Sequence, residues 1–240
     1  MTDANPATPN DRWQIGVDVG GTFTDLVLID GTGQMRVAKV PSVPTDPSQG
    51  VIGALERLAS DWQTTVPAVL DGCELFVHGS TVATNTMLEA SGAKVGLIST
   101  EGFRDSLEIR RGIRPDQWNH RQPYAPVLVP RYLRRSIPGR IDADGSEYRP
   151  LDTTTLGRII EDFEDEGVEA IAIALMNSYV NDAHEQQLAA ECARLWSGRW
   201  ITTSAQCSPL MGEYERTSTA VVNAALLPRT AAYLAKLEQE

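Results

Sequence analysis

Short runs of β-branched and apolar residues alternate along this chain with segments whose apolar positions recur three or four residues apart, and that alternation admits few architectures. Residues 15–19, 26–29 and 35–40 read as three strands, joined by tight turns at Gly20-Gly21 and Asp30-Gly31-Thr32-Gly33. The chain therefore opens as a meander. Pro41, Pro44 and Pro47 close it, and residues 50–60 then put Val51, Ile52, Leu55 and Leu58 on one helical stripe able to cover the sheet. A short buried strand at 75–77 leads through the polar stretch His78-Gly79-Ser80-Thr81 to a helix over 82–90, closed by Ser91-Gly92. The pattern recurs with a strand at 95–98, a helix at 155–166, a strand at 170–175, a helix at 182–196 and a strand near 200–203. The fold class predicted is α/β, a mixed sheet with crossover helices. Residues 213–240 read as a helix that Pro228 should kink or restart.

Charge removes several functions from consideration. With 21 basic and 32 acidic side chains among 240 residues, the net charge is −11, which repels phosphate backbones and anionic membranes. Nucleic acid and membrane are not expected partners. Residues 1–12 read as a disordered polar tail without the basic start and apolar run of a signal peptide, and no apolar run is long enough to cross a bilayer. Cys73, Cys192 and Cys207 have no paired spacing, so core or surface thiols in a reducing cytoplasm are expected. The acidic balance reverses locally between Arg104 and Arg140, where nine arginines stand against Asp105, Glu108 and Asp116. Such a segment is expected to pair with a neighbouring acidic lobe or subunit, with polyanion binding through Arg110-Arg111 or Arg134-Arg135 as the lesser reading.

The common nucleotide and hydrolase signatures are absent: there is no G-x-x-x-x-G-K-[ST], G-x-S-x-G or H-E-x-x-H, and Gly16, Gly20 and Gly21 miss the dinucleotide spacing. The stretch that carries chemistry is Val17-Asp18-Val19-Gly20-Gly21-Thr22-Phe23-Thr24-Asp25. An aspartate at the end of a buried strand, two glycines that let backbone N–H groups approach an anion, and hydroxyls at Thr22 and Thr24 suit a phosphate and Mg²⁺ cradle, with Asp18 on the metal or its water. The same residues equally describe a β-hairpin whose glycines serve only the turn. His78, at the end of the next strand, is a candidate for direct chemistry or a hydrogen-bonded histidine that fixes the strand-to-helix turn. Thr81 and Asn85 lie one helical turn apart and could line the same cleft or cap the helix.

The glycine stretch is similar to the first phosphate loop of the actin, heat-shock ATPase and sugar-kinase superfamily. Together with Ala38-Lys39-Val40-Pro41-Ser42, His78-Gly79-Ser80-Thr81-Val82-Ala83-Thr84-Asn85, Thr100-Glu101-Gly102-Phe103-Arg104-Asp105 and Glu213-Tyr214-Glu215-Arg216-Thr217-Ser218-Thr219, it resembles the hydantoinase/oxoprolinase family of the hydantoin-utilisation A type. The resemblance implies a ribonuclease H-like, actin-type ATPase lobe, with a mixed sheet flanked by helices. It also implies an N-terminal domain over 13–205 and the start of a further domain over 206–240. Implied chemistry is ATP- and Mg²⁺-dependent hydrolysis of a cyclic amide (hydantoin, N-methylhydantoin or 5-oxoproline) through phosphorylation of its carbonyl oxygen. The residues implied are Asp18 and His78 as catalytic groups, Asp18 as metal ligand, and Gly20, Gly21, Thr22, Thr24 and Thr81 as the nucleotide cradle. Other members are subunits of acetone and acetophenone carboxylases, so a ketone substrate, or a non-catalytic partner-binding lobe, is the alternative. Family members continue into a second lobe with another phosphate loop, and no second Asp-Gly-Gly loop occurs here. The chain is therefore expected to be a fragment or a separate subunit that needs that second lobe, or a partner of the hydantoin-utilisation B type.

Overall fold

A computed structural model describes residues 12–112, 116, 118–119, 121, 126–198 and 200–239. The chain divides into two compact units, Met1–Ser91 with Thr230–Glu240, and Gly92–Arg229.

In the first unit the meander is present as β1 (Trp13–Val19), β2 (Phe23–Asp30) and β3 (Met35–Pro41), antiparallel in sequence. Helices α1 (Pro47–Asp61) and α2 (Val66–Asp71) follow, then β4 (Cys73–Ser80) and α3 (Val82–Leu88). The sheet order is β3-β2-β1-β4, with β4 parallel to β1, so the sheet is mixed. Ile15, Val17, Leu26 and Leu28 on one face meet Val51, Leu55 and Leu58 of α1. The helix lies close to the strands because Gly50 faces Thr24, where a Cβ would come within 2.4 Å of Oγ1. Full pairing with β1 carries β4 from Cys73 through His78 and Gly79 to Ser80, well past the apolar core of the strand at 75–77. His78 therefore sits within a strand rather than beyond its end.

The second unit contains β5 (Val95–Thr100), α4 (Ser106–Ile109), β6 (Arg134–Ile137), β7 (Arg140–Ile141), β8 (Glu147–Arg149), α5 (Leu156–Asp165), β9 (Ala170–Ala174), α6 (Ala183–Leu195), β10 (Trp200–Thr203) and α7 (Ser204–Cys207). Its main sheet, ordered β10-β9-β5-β6, is parallel throughout. A parallel sheet covered on both faces needs unbroken apolar strands, and every residue of β5 and β9 is buried. Phe163 of α5, Leu188 of α6 and Val221 of the last helix, α8 (Glu213–Gln239), complete that core.

Helix α8 runs without a break through Pro228, so the helix does not restart there. Proline removes the N–H that would reach the Ala224 carbonyl, and its ring crowds that carbonyl in the preceding turn. The neighbouring carbonyl of Ala225 accepts the backbone N–H of Ala93 at 2.9 Å, so a non-helical donor supports the helix there.

Several side chains of the arginine-rich segment pair within their own unit. Arg134 is fully buried and reaches Asp105 at 3.2 Å, Glu108 at 2.6 Å and the Val129 carbonyl at 3.1 Å. Arg131 shares Asp105, Arg135 meets Asp162, and Arg111 meets Glu215. Of these carboxylates Asp162 of α5 and Glu215 of α8 come from outside the segment, so part of its positive excess is met within the unit. Arg114 lies outside the described residues.

Candidate functional site

The β1–β2 connection and the end of β4 come together at one edge of the first sheet. Gly20 N–H donates to the Phe23 carbonyl at 3.0 Å to close the turn, and Ser42 N–H donates to the Thr22 carbonyl at 2.9 Å to tie the turn to the end of β3. Asp18 pairs in register with Asp25 on β2 and Gly79 on β4. Its side chain is exposed, and a Cβ on Gly79 would lie 3.4 Å from Oδ1, so glycine leaves room beside the carboxylate. Lys39 holds Asp25 at 2.7 and 2.8 Å. No hydrogen bond or salt bridge engages the Asp18 carboxylate among the described residues.

Thr81 fastens the second loop to the first. Its N–H and hydroxyl both donate to the Val19 carbonyl, at 3.0 and 3.2 Å, and Asn85 Nδ2 donates to the same hydroxyl at 3.1 Å. Asn85 in turn abuts the glycine turn, since a Cβ on Gly21 would stand 3.2 Å from Nδ2. A side chain at Gly21 would fill the space between the two loops.

The geometry places three of the expected residues away from the outer surface of the turn. A hydroxyl has one proton to donate, and that of Thr81 is spent on Val19, so Thr81 positions the loop and has none left for an anion. Thr24 is fully buried, with Oγ1 at 2.9 Å from Ser42 Oγ beneath α1, and also acts from within. His78 and Asp18 do not converge: strand side chains alternate between faces, and the register puts His78 beside Val17 on the covered face and Asp18 on the open one. The structure brings Asp18, Gly20, Gly21 and Thr22 together at the turn, with Asn85 and Gly79 as their neighbours.

His78 instead belongs to a polar pair beneath the sheet. Its Nε2 lies 2.7 Å from the Tyr233 hydroxyl, while Nδ1 is buried without a partner. Burial lowers the imidazole pKa below its usual 6.5, opposed by the negative charge of Asp18. Burial likewise raises that of Tyr233, which also hydrogen-bonds Ser80. Tyr233 is separated from His78 by 155 positions, and nothing in the local sequence announces the pairing.

Among the described residues no group of three or more His, Cys, Asp and Glu is arranged to hold a metal. A single exposed carboxylate suits Mg²⁺, which keeps several waters and relies on substrate phosphates for further ligands. The donor set and the Cβ-free turn thus fit a phosphate-bound Mg²⁺ better than an all-protein metal cage. No described helix is long and apolar enough to cross a membrane.

Residues 14–195 match the model of the hydantoinase/oxoprolinase N-terminal region. The chain belongs to this family. The hydantoinase/oxoprolinase region described here is 38% identical over 229 residues to caprolactamase subunit alpha of Pseudomonas jessenii, covering 95% of this chain and 33% of that protein. The crystal structure of the ATP-dependent caprolactamase from Pseudomonas jessenii superposes with a TM-score of 0.84 at 39% identity, over 94% of this chain and 33% of that one. The nucleotide-free acetone carboxylase structure gives a TM-score of 0.85 at 27% identity, over 95% of this chain and 34% of that one. The 5-oxoprolinase of Saccharomyces cerevisiae is 28% identical over 92% of this chain and 20% of its own length. The chain thus spans about a third or less of these relatives. Its fold is α/β, the ribonuclease H-like, actin-type ATPase lobe with a mixed sheet flanked by helices.

Proposed function

We propose that the first unit binds the phosphates of MgATP at the Gly20-Gly21 turn, as the N-terminal part of an ATP-dependent enzyme that opens a cyclic amide in the cytoplasm. The observation that carries this reading is the exposed carboxylate of Asp18 beside a turn whose two glycines put no side chain against Phe23 or Asn85. Asp18 would hold Mg²⁺ or its water, and the turn would supply backbone N–H groups. An amide oxygen is a poor leaving group, and MgATP supplies the phosphoryl group that makes it a good one. A cyclic amide is favoured over a ketone because the match to a caprolactamase, at 38% identity, is stronger than the 34% to an acetophenone carboxylase subunit and the 28% to an acetone carboxylase subunit. Relatives named as alpha, beta and gamma subunits support a partner subunit in the working assembly.

Calorimetric titration with ATP, with and without Mg²⁺, tests the site. Asp18→Ala should weaken Mg²⁺-dependent binding by tenfold or more and abolish ring opening in the assembled enzyme, whereas unchanged affinity and turnover would remove Asp18 from the site.

A further inference from the structure

The parallel sheet of the second unit reverses its winding between β5 and β9: the chain leaves β5 for β6 on one side and β9 for β10 on the other. In open α/β sheets, ligands bind beyond the carboxyl ends of the strands at such a switch point. Here those ends are Thr100 and Ala174, and the loops that follow them are joined where Thr100 Oγ1 accepts the Met176 N–H at 3.0 Å. The β7–β8 hairpin is fastened to both loops. Arg149 Nη1 donates to Glu101 Oε2 at 3.0 Å, and Asn177 Nδ2 donates to the Ile141 carbonyl at 2.8 Å.

Register places Arg140 and Arg149 directly opposite each other on that hairpin, hence on one face. Like charges so placed repel, and Glu101 is paired with Arg149 rather than with Arg140. The Arg140 guanidinium lies over the Phe103 ring, 5.1 Å from its centroid, and among the described residues no hydrogen bond or ion pair engages it. Stacking of this kind holds the planar fork in place with its N–H edge free. Between Glu101 and Phe103, Gly102 takes a φ of +87°, and an added Cβ there would meet nothing within 4 Å. Its N–H has no acceptor among the described residues. An unengaged guanidinium thus lies against a loop that offers an unengaged backbone donor.

We propose that Arg140, Arg149 and the Gly102 N–H form a site for one oxyanion group, the carboxylate or phosphate of a small ligand. A fork set on an aromatic ring makes two parallel hydrogen bonds to such a group, which a point charge cannot reproduce. Two guanidinium groups against the single carboxylate of Glu101 leave one positive charge for the anion. Arg149, already held by Glu101, contributes charge, and Arg140 contributes the free fork. The site lies wholly on the second unit and stands apart from the nucleotide assignment.

The test is a proton–nitrogen NMR titration of the 240-residue chain at constant ionic strength with two probes, inorganic phosphate and succinate, followed at the Gly102 amide and the Arg140 Nε–H. At least one probe should shift both signals saturably, with half-saturation at about 1 mM or below. Phosphate alone would assign a phosphoryl group to the ligand, and succinate alone a carboxylate. Arg140→Gln should abolish the shift at Gly102, and Arg140→Lys, which keeps the charge without the fork, should weaken binding at least tenfold, both at an unchanged melting temperature. Asp18→Asn should leave the titration intact, which separates this site from the glycine turn of the first unit. Linear, unsaturated shifts with both probes would overturn the proposal. So would equal affinity in Arg140→Lys and the unsubstituted chain, because the anion would then be held by charge alone.

Discussion

The hydroxyl of Tyr233, on the last turns of α8, stands 2.7 Å from Nε2 of His78 on β4, with the two ring centroids 5.6 Å apart. His78 Nδ1 is buried without a partner, so the pair supplies the imidazole's hydrogen bonding among the described residues. Tyr233→Phe should cost about 1–2 kcal/mol, the ordinary penalty for leaving a buried polar group unmatched. Urea unfolding should show a lower midpoint with an unchanged slope; an unchanged midpoint would mean that the bond contributes nothing.

Acidification should weaken the same region. The folded state binds a proton at His78 less readily than the unfolded chain, because burial lowers its pKa below 6.5 despite Asp18. A lowered folded pKa gives stability that is complete above 6.5 and is lost as pH falls towards the folded value. Tyr233 and Ser80 are the other groups against the pair, and Tyr233 stays protonated across this range since its pKa is raised from 10.0. The denaturation midpoint should therefore fall between pH 7.5 and pH 5.5, and His78→Gln should flatten the change. Asp46, lowered to about 2 by Lys236 and Ser48, acts only below 3.8, whereas burial raises Glu185 above its ordinary 4.5, which works in the opposite sense as pH falls, so the His78→Gln comparison is what isolates the histidine.

Local patterns carried much of the fold. The β1–β3 meander follows from two glycine-containing turns between apolar runs, and the stripe of Val51, Leu55 and Leu58 places α1 on the sheet. The short α2 had a local signal as well, since Thr65 caps it by accepting the Ala68 N–H and proline lies in its first turn. What local patterns could not reveal depends on pairing across the chain. Register with β1 turns His78 to the face opposite Asp18, and only the return of α8 brings Tyr233 to it. The arginine-rich segment illustrates the same limit: its partners Asp162 and Glu215 are distant in sequence, so two of its ion pairs within the unit could not be read locally.

A buried carboxylate organises the second unit. Glu185 is fully buried and accepts from Leu175 N–H at 2.8 Å, Ser204 Oγ at 2.6 Å and Ala205 N–H at 2.9 Å, thereby joining the ends of β9 and β10 to α6. Fully buried Arg216 also donates to Ser204 Oγ and the Leu175 carbonyl. Glu185→Ala would strand three donors and leave a cavity, costing about 3 kcal/mol or more. Glu185→Gln preserves the shape and one acceptor oxygen, and should cost clearly less. Equal chemical-denaturation midpoints for the two variants would show that neither the volume nor one retained acceptor oxygen, but the complete carboxylate, matters at this position.

Thr24 and Asp18 allow the internal scaffold of the glycine turn to be separated from its outer surface. Both come from the stretch that announces the candidate site, yet the strand register directs Thr24 beneath α1, against Ser42, and Asp18 outward beside Gly79. Thr24→Val keeps the shape, loses the hydroxyl contact and should cost about 1 kcal/mol in unfolding free energy, while MgATP affinity stays within twofold. Asp18→Asn should do the reverse: an exposed position tolerates the change with little loss of stability, but removing the charge should lower Mg²⁺-dependent affinity by tenfold or more, about 1.4 kcal/mol. Measuring unfolding and nucleotide titration on both variants gives four values. If Thr24→Val lowered affinity as far as Asp18→Asn at unchanged stability, the buried hydroxyl would have to be reassigned to the ligand, and the turn would have to reorganise on binding.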